Sequence, residues 1–139
     1  MVAQAVAELP NECCGLLAGT AGSGQRAVGS EQESFPASVR VVTQRYPLVS
    51  AAASPVEYLS DPQSMFAAVR DMRQRGIDIL AVYHSHPTSD PVPSRTDLDR
   101  NYSPDVVNLI ISLKAGTPEV RGWWLTADGF REAEWALTE

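Results

Sequence analysis

The sequence predicts a single layered α/β domain over residues 1–139. Three observations carry that expectation. Residues 62–75 have the apolar spacing and the end signals of an amphipathic helix. Two nearly continuous apolar runs, Ile77 to Tyr83 and Val106 to Leu113, read as strands buried on both faces. Strands alternating with helices are the pattern of a sheet covered by helices. A chain of 139 residues suits one such domain. At that size it buries roughly 70% of its unfolded surface and needs no disulfide staples.

Taken in order, Ala3 to Leu9 reads as the end of a short helix stopped near Pro10, as if the chain began late. Cys13 to Gly19 is a short apolar run, expected as a buried strand. Thr20 to Ser34 is rich in Gly, Ser and Gln and is expected as a mobile loop. Ser38 to Tyr46 alternates, with Val39, Val41 and Thr43 on one face, as a strand does. Pro47 to Ser60 is a long Ala/Ser/Pro connection with a little strand at most around Glu57 to Leu59.

The helix over 62–75 has Asp61 as N-cap, Pro62 at its first position and Gly76 just past its end. Met65, Val69 and Met72 fall at helical spacing and form its core stripe, with Arg70, Arg73 and Arg75 pointing elsewhere. Beyond the two apolar runs, Glu119 to Thr126 and Phe130 to Leu137 flank Ala127-Asp128-Gly129, which predicts a hairpin. Trp123, Trp124 and Trp135 read as core or edge packing.

Composition excludes several classes. The net charge is −6, with ten Arg, one Lys and no basic run, so no phosphate-tracking surface is expected and no nucleic-acid partner. No run of about 18 apolar residues suggests a membrane span. The first residues lack the basic and apolar regions of a signal peptide, so a cytoplasmic protein is expected. Cys13 and Cys14 are adjacent and point to opposite faces of an extended chain, which makes a disulfide framework implausible. They are expected as small buried hydrophobes.

The chemistry concentrates around the two histidines, His84 and His86. They follow the buried strand at positions i and i+2, so extended backbone puts both on one face, roughly 6.6 Å apart by rise. Two imidazoles so placed can converge on one metal ion. The loop that follows contains Pro87, Pro91 and Pro93, then Ser94 opens a short helix to Arg100. Asp97 sits one turn on, where a stiff loop could swing it back toward the histidines. Two histidines, a carboxylate and a water make a three-ligand catalytic zinc site. Ser94 and Asp97 also fit a capping pair, which holds Asp97 in place whatever else it does.

His84-Ser85-His86, seven residues, Ser94, two residues and Asp97 match without a gap the signature of the JAMM (MPN+) metallopeptidases, which this chain resembles. The resemblance extends to Pro10-Asn11-Glu12-Cys13-Cys14-Gly15-Leu16-Leu17-Ala18-Gly19, similar to the family's N-terminal P-x-E-x-C-G-L-L-x-G segment. It implies an MPN (cytidine-deaminase-like) layered domain with a central mixed sheet flanked by helices. It also implies zinc held by His84, His86 and Asp97, Glu12 as general base, and Ser94 donating to the developing oxyanion. The chain looks most like the compact bacterial members. That implies a peptidase or isopeptidase acting at the C-terminal tail of a ubiquitin-like or sulfur-carrier protein. The oligomeric state is left open. The competing reading is a non-catalytic MPN scaffold that binds partners, against which the complete ligand set argues. A zinc deaminase would need H-x-E and P-C-x-x-C, and neither occurs. One departure is Ser50, where the family commonly has Asn.

Overall fold

A six-stranded mixed sheet organises the chain in the order β2-β1-β3-β4-β5-β6. The computed structural model describes residues 1–21, 40–101 and 103–137. Nearly all of the loop expected over Thr20–Ser34 lies outside them. The strands are β1 (Cys14–Ala21), β2 (Arg40–Leu48), β3 (Asp78–His86), β4 (Val107–Ser112), β5 (Glu119–Thr126) and β6 (Gly129–Ala133). The helices are α1 (Val2–Ala7), α2 (Pro62–Arg75) and α3 (Arg95–Asp99). The layered α/β expectation is met.

Helix α2 forms where its sequence signals place it. Asp61 caps it by accepting from Ser64 N at 2.9 Å, and Gly76 ends it in the left-handed region at φ 70. Its inner face is Ala68 and Met72, with Met65 packed beside them against Leu16, Ala18 and Val82 of the sheet. The opposite sheet face buries Leu17, Ala81, Tyr83, Leu109 and Ile111 with Ala5 of α1. Cys14 belongs to the first cluster and Cys13 to the second, as alternation along a strand requires. Both thiols are free and buried.

All neighbouring pairs are antiparallel except β3 and β4. A parallel pair needs a crossover, and the one here carries the proline-rich loop and α3. Functional sites in open α/β sheets gather outside the carboxyl ends of parallel strands. His84 and His86 close β3 at such an end.

Gly15 is required by Tyr83, its cross-strand partner. A Cβ at Gly15 would lie 2.1 Å from Tyr83 Cζ and 2.2 Å from its hydroxyl. The ring is fully buried, and its hydroxyl bonds to Gln4 and accepts from Arg45, so it has nowhere to go. Gly15→Ala is expected to cost about 3 kcal/mol, the upper range of core overpacking. That corresponds to a fall in Tm of roughly 6–12 °C for a domain this size. An unchanged thermal midpoint would show that the ring yields.

The hairpin is shorter than its pattern suggests. Strand β6 ends at Ala133, paired with Gly122, and Glu134 to Leu137 leave the ladder. Trp135 lies against Gly122, where any side chain would meet its ring at 3.3 Å. Packing of that indole over the bare glycine replaces continued pairing.

Candidate metal centre

The end of β3 delivers both imidazoles to one point. His84 Nε2 and His86 Nε2 are 3.1 Å apart. Asp97 reaches back from α3, with Oδ1 at 3.2 Å from His84 Nε2 and Oδ2 at 3.2 Å from His86 Nε2. All three side chains are buried. Ligands at 2.0–2.1 Å around a tetrahedral zinc stand roughly 3.3 Å from one another. The donor spacing therefore fits a single ion, and two imidazoles with a carboxylate are the donor set that zinc takes at catalytic sites.

Capping geometry aims Asp97. Ser94 Oγ accepts from Asp97 N at 3.1 Å, and Asp97 Oδ2 accepts from Ser94 N at 2.9 Å. The reciprocal pair expected from the S-x-x-D spacing is present, and it orients the carboxylate rather than competing with it. Ser94 Oγ accepts that bond and keeps its own proton for another acceptor. Burial alone would raise the Asp97 pKa, but bonds to His84, His86 and the Ser94 amide outweigh it and hold the carboxyl well below the ordinary range.

The two imidazoles are held by different means. His86 Nδ1 faces the Asp90 carbonyl at 2.8 Å. A carbonyl only accepts, so Nδ1 carries a hydrogen in either protonation state, and Nε2 is the nitrogen turned toward the cluster. Burial opposes charging of His86, yet the Asp97 bond and the Asp90 carbonyl prevail, and its pKa is raised. His84 Nδ1 is buried without a hydrogen-bond partner among the described residues. Its ring is stacked on Tyr58 instead, with centroids 4.7 Å apart and planes at 28°.

Glu12 enters from the neighbouring strand. Ser85 N donates to Cys13 O at 3.1 Å and Cys13 N to Ser85 Oγ at 2.8 Å. With Cys13 opposite Ser85, the preceding Glu12 flanks His86. Its backbone N–H is bound by Ser54 O at 2.8 Å. The side chain is 4% exposed and Oε1 has no partner among the described residues. Burial pushes its pKa up to about 8, with His86 pulling it down and Asp97 raising it further. A buried carboxyl with an unpartnered oxygen, beside His84, His86 and Asp97 and not one of them, suits a proton acceptor.

The structure thus brings together Glu12, His84, His86, Ser94 and Asp97. Sequence spacing did not single out Tyr58, which belongs to the connection before α2. That connection is tied to α3 by Arg100, which donates to Tyr58 O at 3.4 Å and pairs with Glu57 at 3.3 Å. Ser50 holds the same segment by accepting from Leu59 N at 3.2 Å, and it forms a bridge with Ser60. The weak strand expected around Glu57 to Leu59 is reduced to that bridge. No helix among the described residues is long and apolar enough to cross a membrane.

The chain is similar to several known proteins. The chain is 36% identical over 134 residues to the desampylase of Haloferax volcanii, covering 96% of this chain and 83% of that protein. It is 29% identical over 114 residues to the CysO-cysteine peptidase of Mycobacterium tuberculosis, covering 82% and 67% of the two chains. A solution structure of a Desulfitobacterium hafniense protein superposes with a TM-score of 0.81 at 34% identity, covering all of this chain and 86% of that one. The family described as prokaryotic homologs of the JAB domain matches residues 1–126. With a family match over nearly its whole length, the chain belongs to the prokaryotic JAB family, the compact branch of the JAMM/MPN proteins.

Proposed function

We propose that the chain is a zinc-dependent peptidase or isopeptidase that hydrolyses the bond beyond the C-terminal tail of a ubiquitin-like or sulfur-carrier protein. The observation that carries this reading is the spacing of the His84, His86 and Asp97 donor atoms, all within 4.8 Å of one another, with the buried carboxyl of Glu12 beside them. The relatives named as a desampylase and a peptidase support hydrolysis of that kind. A scaffold needs none of Glu12, His84, His86, Ser94 and Asp97, and all are in place. Two free buried thiols suit the reducing cytoplasm.

His84, His86 and Asp97 would hold the ion. Bound zinc supplies a Lewis acid that acidifies water and polarises a carbonyl. The remaining work falls to the chain. Glu12 takes a proton from the attacking water and returns it to the leaving amine. Ser94 uses its free O–H to stabilise the oxyanion. A cleft of about 180 Å³ between α2 and α3, with Leu16, Val82, Met65 and Tyr58 on its walls, opens against Asp97. Its largely apolar lining suits an extended tail laid along it.

The test is a tail-adduct assay. A ubiquitin-like carrier bearing one amino acid beyond its Gly-Gly end is incubated with zinc-loaded protein, and the products are weighed by mass spectrometry. Release of the added residue, abolished by a chelator and restored by zinc, is expected. In the same assay Ser94→Ala should slow release about 10²–10³-fold, as loss of one oxyanion donor does. It should keep its zinc and lose about 1 kcal/mol of helix capping. Equal cleavage with and without chelator, or none on any tail adduct, contradicts the reading.

A further inference from the structure

Three consecutive carbonyls in the loop after β3 are each taken by a different side chain. Ser89 O accepts from Ser112 Oγ at 2.6 Å. Asp90 O accepts from His86 Nδ1 at 2.8 Å. Pro91 O accepts from Trp123 Nε1 at 2.8 Å. Ser112 closes β4 and Trp123 lies within β5, and both are buried. The outer two carbonyls are therefore fastened to two strands of the sheet, and the middle one is held between them.

The loop has other fastenings as well: Lys114 Nζ donates to Asp90 Oδ1 at 3.3 Å, and Val92 packs against Ile110, Trp123 and Leu125. Pro87, Pro91 and Pro93 contribute no N–H groups, so its carbonyls must find donors elsewhere. Within the loop, Val92 N donates to Asp90 O at 2.8 Å, and at its base Leu113 N donates to His86 O at 3.1 Å. The indole of Trp123 is itself fixed. It meets Phe130 edge-on at 5.2 Å and lies under the Arg121 guanidinium at 4.6 Å.

We propose that Ser112 and Trp123 are positioning residues for His86. They hold the Pro87–Pro93 loop so that the Asp90 carbonyl keeps a hydrogen on Nδ1 and Nε2 stays turned toward Asp97 and His84. The inference rests on the metal reading above and assigns a role there to two residues outside the signature. Groups behind a metal-ligating histidine set its tautomer and ring angle, and their loss weakens metal affinity about 10–100-fold. Here the group behind His86 is a loop carbonyl between stiffening prolines. Ser112 and Trp123 tie the carbonyls on either side of it to the sheet.

Two variants test this. Trp123→Phe keeps the ring and removes the N–H. Ser112→Ala removes the other fastening and answers independently should the first fail to fold. Each is stripped of metal, checked by circular dichroism, and its zinc Kd is measured by chelator competition. The visible spectrum of the Co²⁺-loaded form reports ligand geometry. The expected result is a zinc Kd raised about 10–100-fold and a displaced Co²⁺ absorption band, with folded secondary structure retained. Wild-type Kd and wild-type Co²⁺ spectra in both variants overturn the inference while leaving the metal centre standing. A wild-type protein without zinc affinity removes the metal centre, and this inference with it.

Discussion

Glu12→Gln is expected to bind zinc as tightly as the wild type and to hydrolyse tail adducts about 10²–10⁴-fold more slowly, the contribution of a positioned general base. The amide keeps the size and burial of the carboxyl but cannot accept the proton. Because Glu12 lies outside the ligand triad, metal retention separates its role from that of the ligands. Elemental analysis beside single-turnover rates makes the comparison, and normal turnover in the variant would remove Glu12 from the mechanism. The same substitution has a second signature in the metal-free protein. Burial raises the Glu12 pKa from 4.5 to about 8. Between those values the folded state holds a proton that the unfolded chain releases, so its share of stability is complete below about 4.5 and is lost as pH rises through about 8. Metal-free Glu12→Gln should therefore melt higher than metal-free wild type at pH 8–9 and show little difference near pH 4. With a cation in the cluster the carboxyl is drawn back toward its ionised form, and the difference should shrink.

Asp97→Ala is expected to weaken zinc binding by more than 10²-fold, beyond what changes behind a ligand cost. The substitution removes one of the three proposed ligands and half of the capping pair with Ser94. It also leaves His84 Nε2 and His86 Nε2 at 3.1 Å without the carboxylate that holds them. Zinc Kd by chelator competition measures the effect, and activity should fall in parallel. Zinc bound at wild-type strength would mean that the carboxylate belongs to the capping pair alone.

Much of this was legible in the sequence because it depends on local chemistry. Helix α2 runs from Pro62 to Arg75, as its Asp61 cap, Pro62 start and Gly76 stop dictate. The i, i+2 spacing of His84 and His86 and the i, i+3 spacing of Ser94 and Asp97 each fix a face of a strand or a helical turn. Their convergence follows from the crossover between the parallel strands β3 and β4. What stayed hidden depends on contacts far apart in the chain. Tyr58 stacks on His84 from a connection with no clear periodicity. Trp123 reads as packing, which it is, but its N–H reaches Pro91 across 32 positions. Strand β6 ends at Ala133, and the alternation pattern does not encode that early end.

Metal content decides whether His84, His86 and Asp97 form a zinc centre. Purified protein, wild type beside a His84→Ala/His86→Ala double variant, is analysed for zinc after reconstitution and extensive dialysis. About one zinc ion per wild-type chain is expected, as a three-ligand site requires, and none retained by the variant. A wild type that holds no zinc, or a double variant that holds as much, would contradict it.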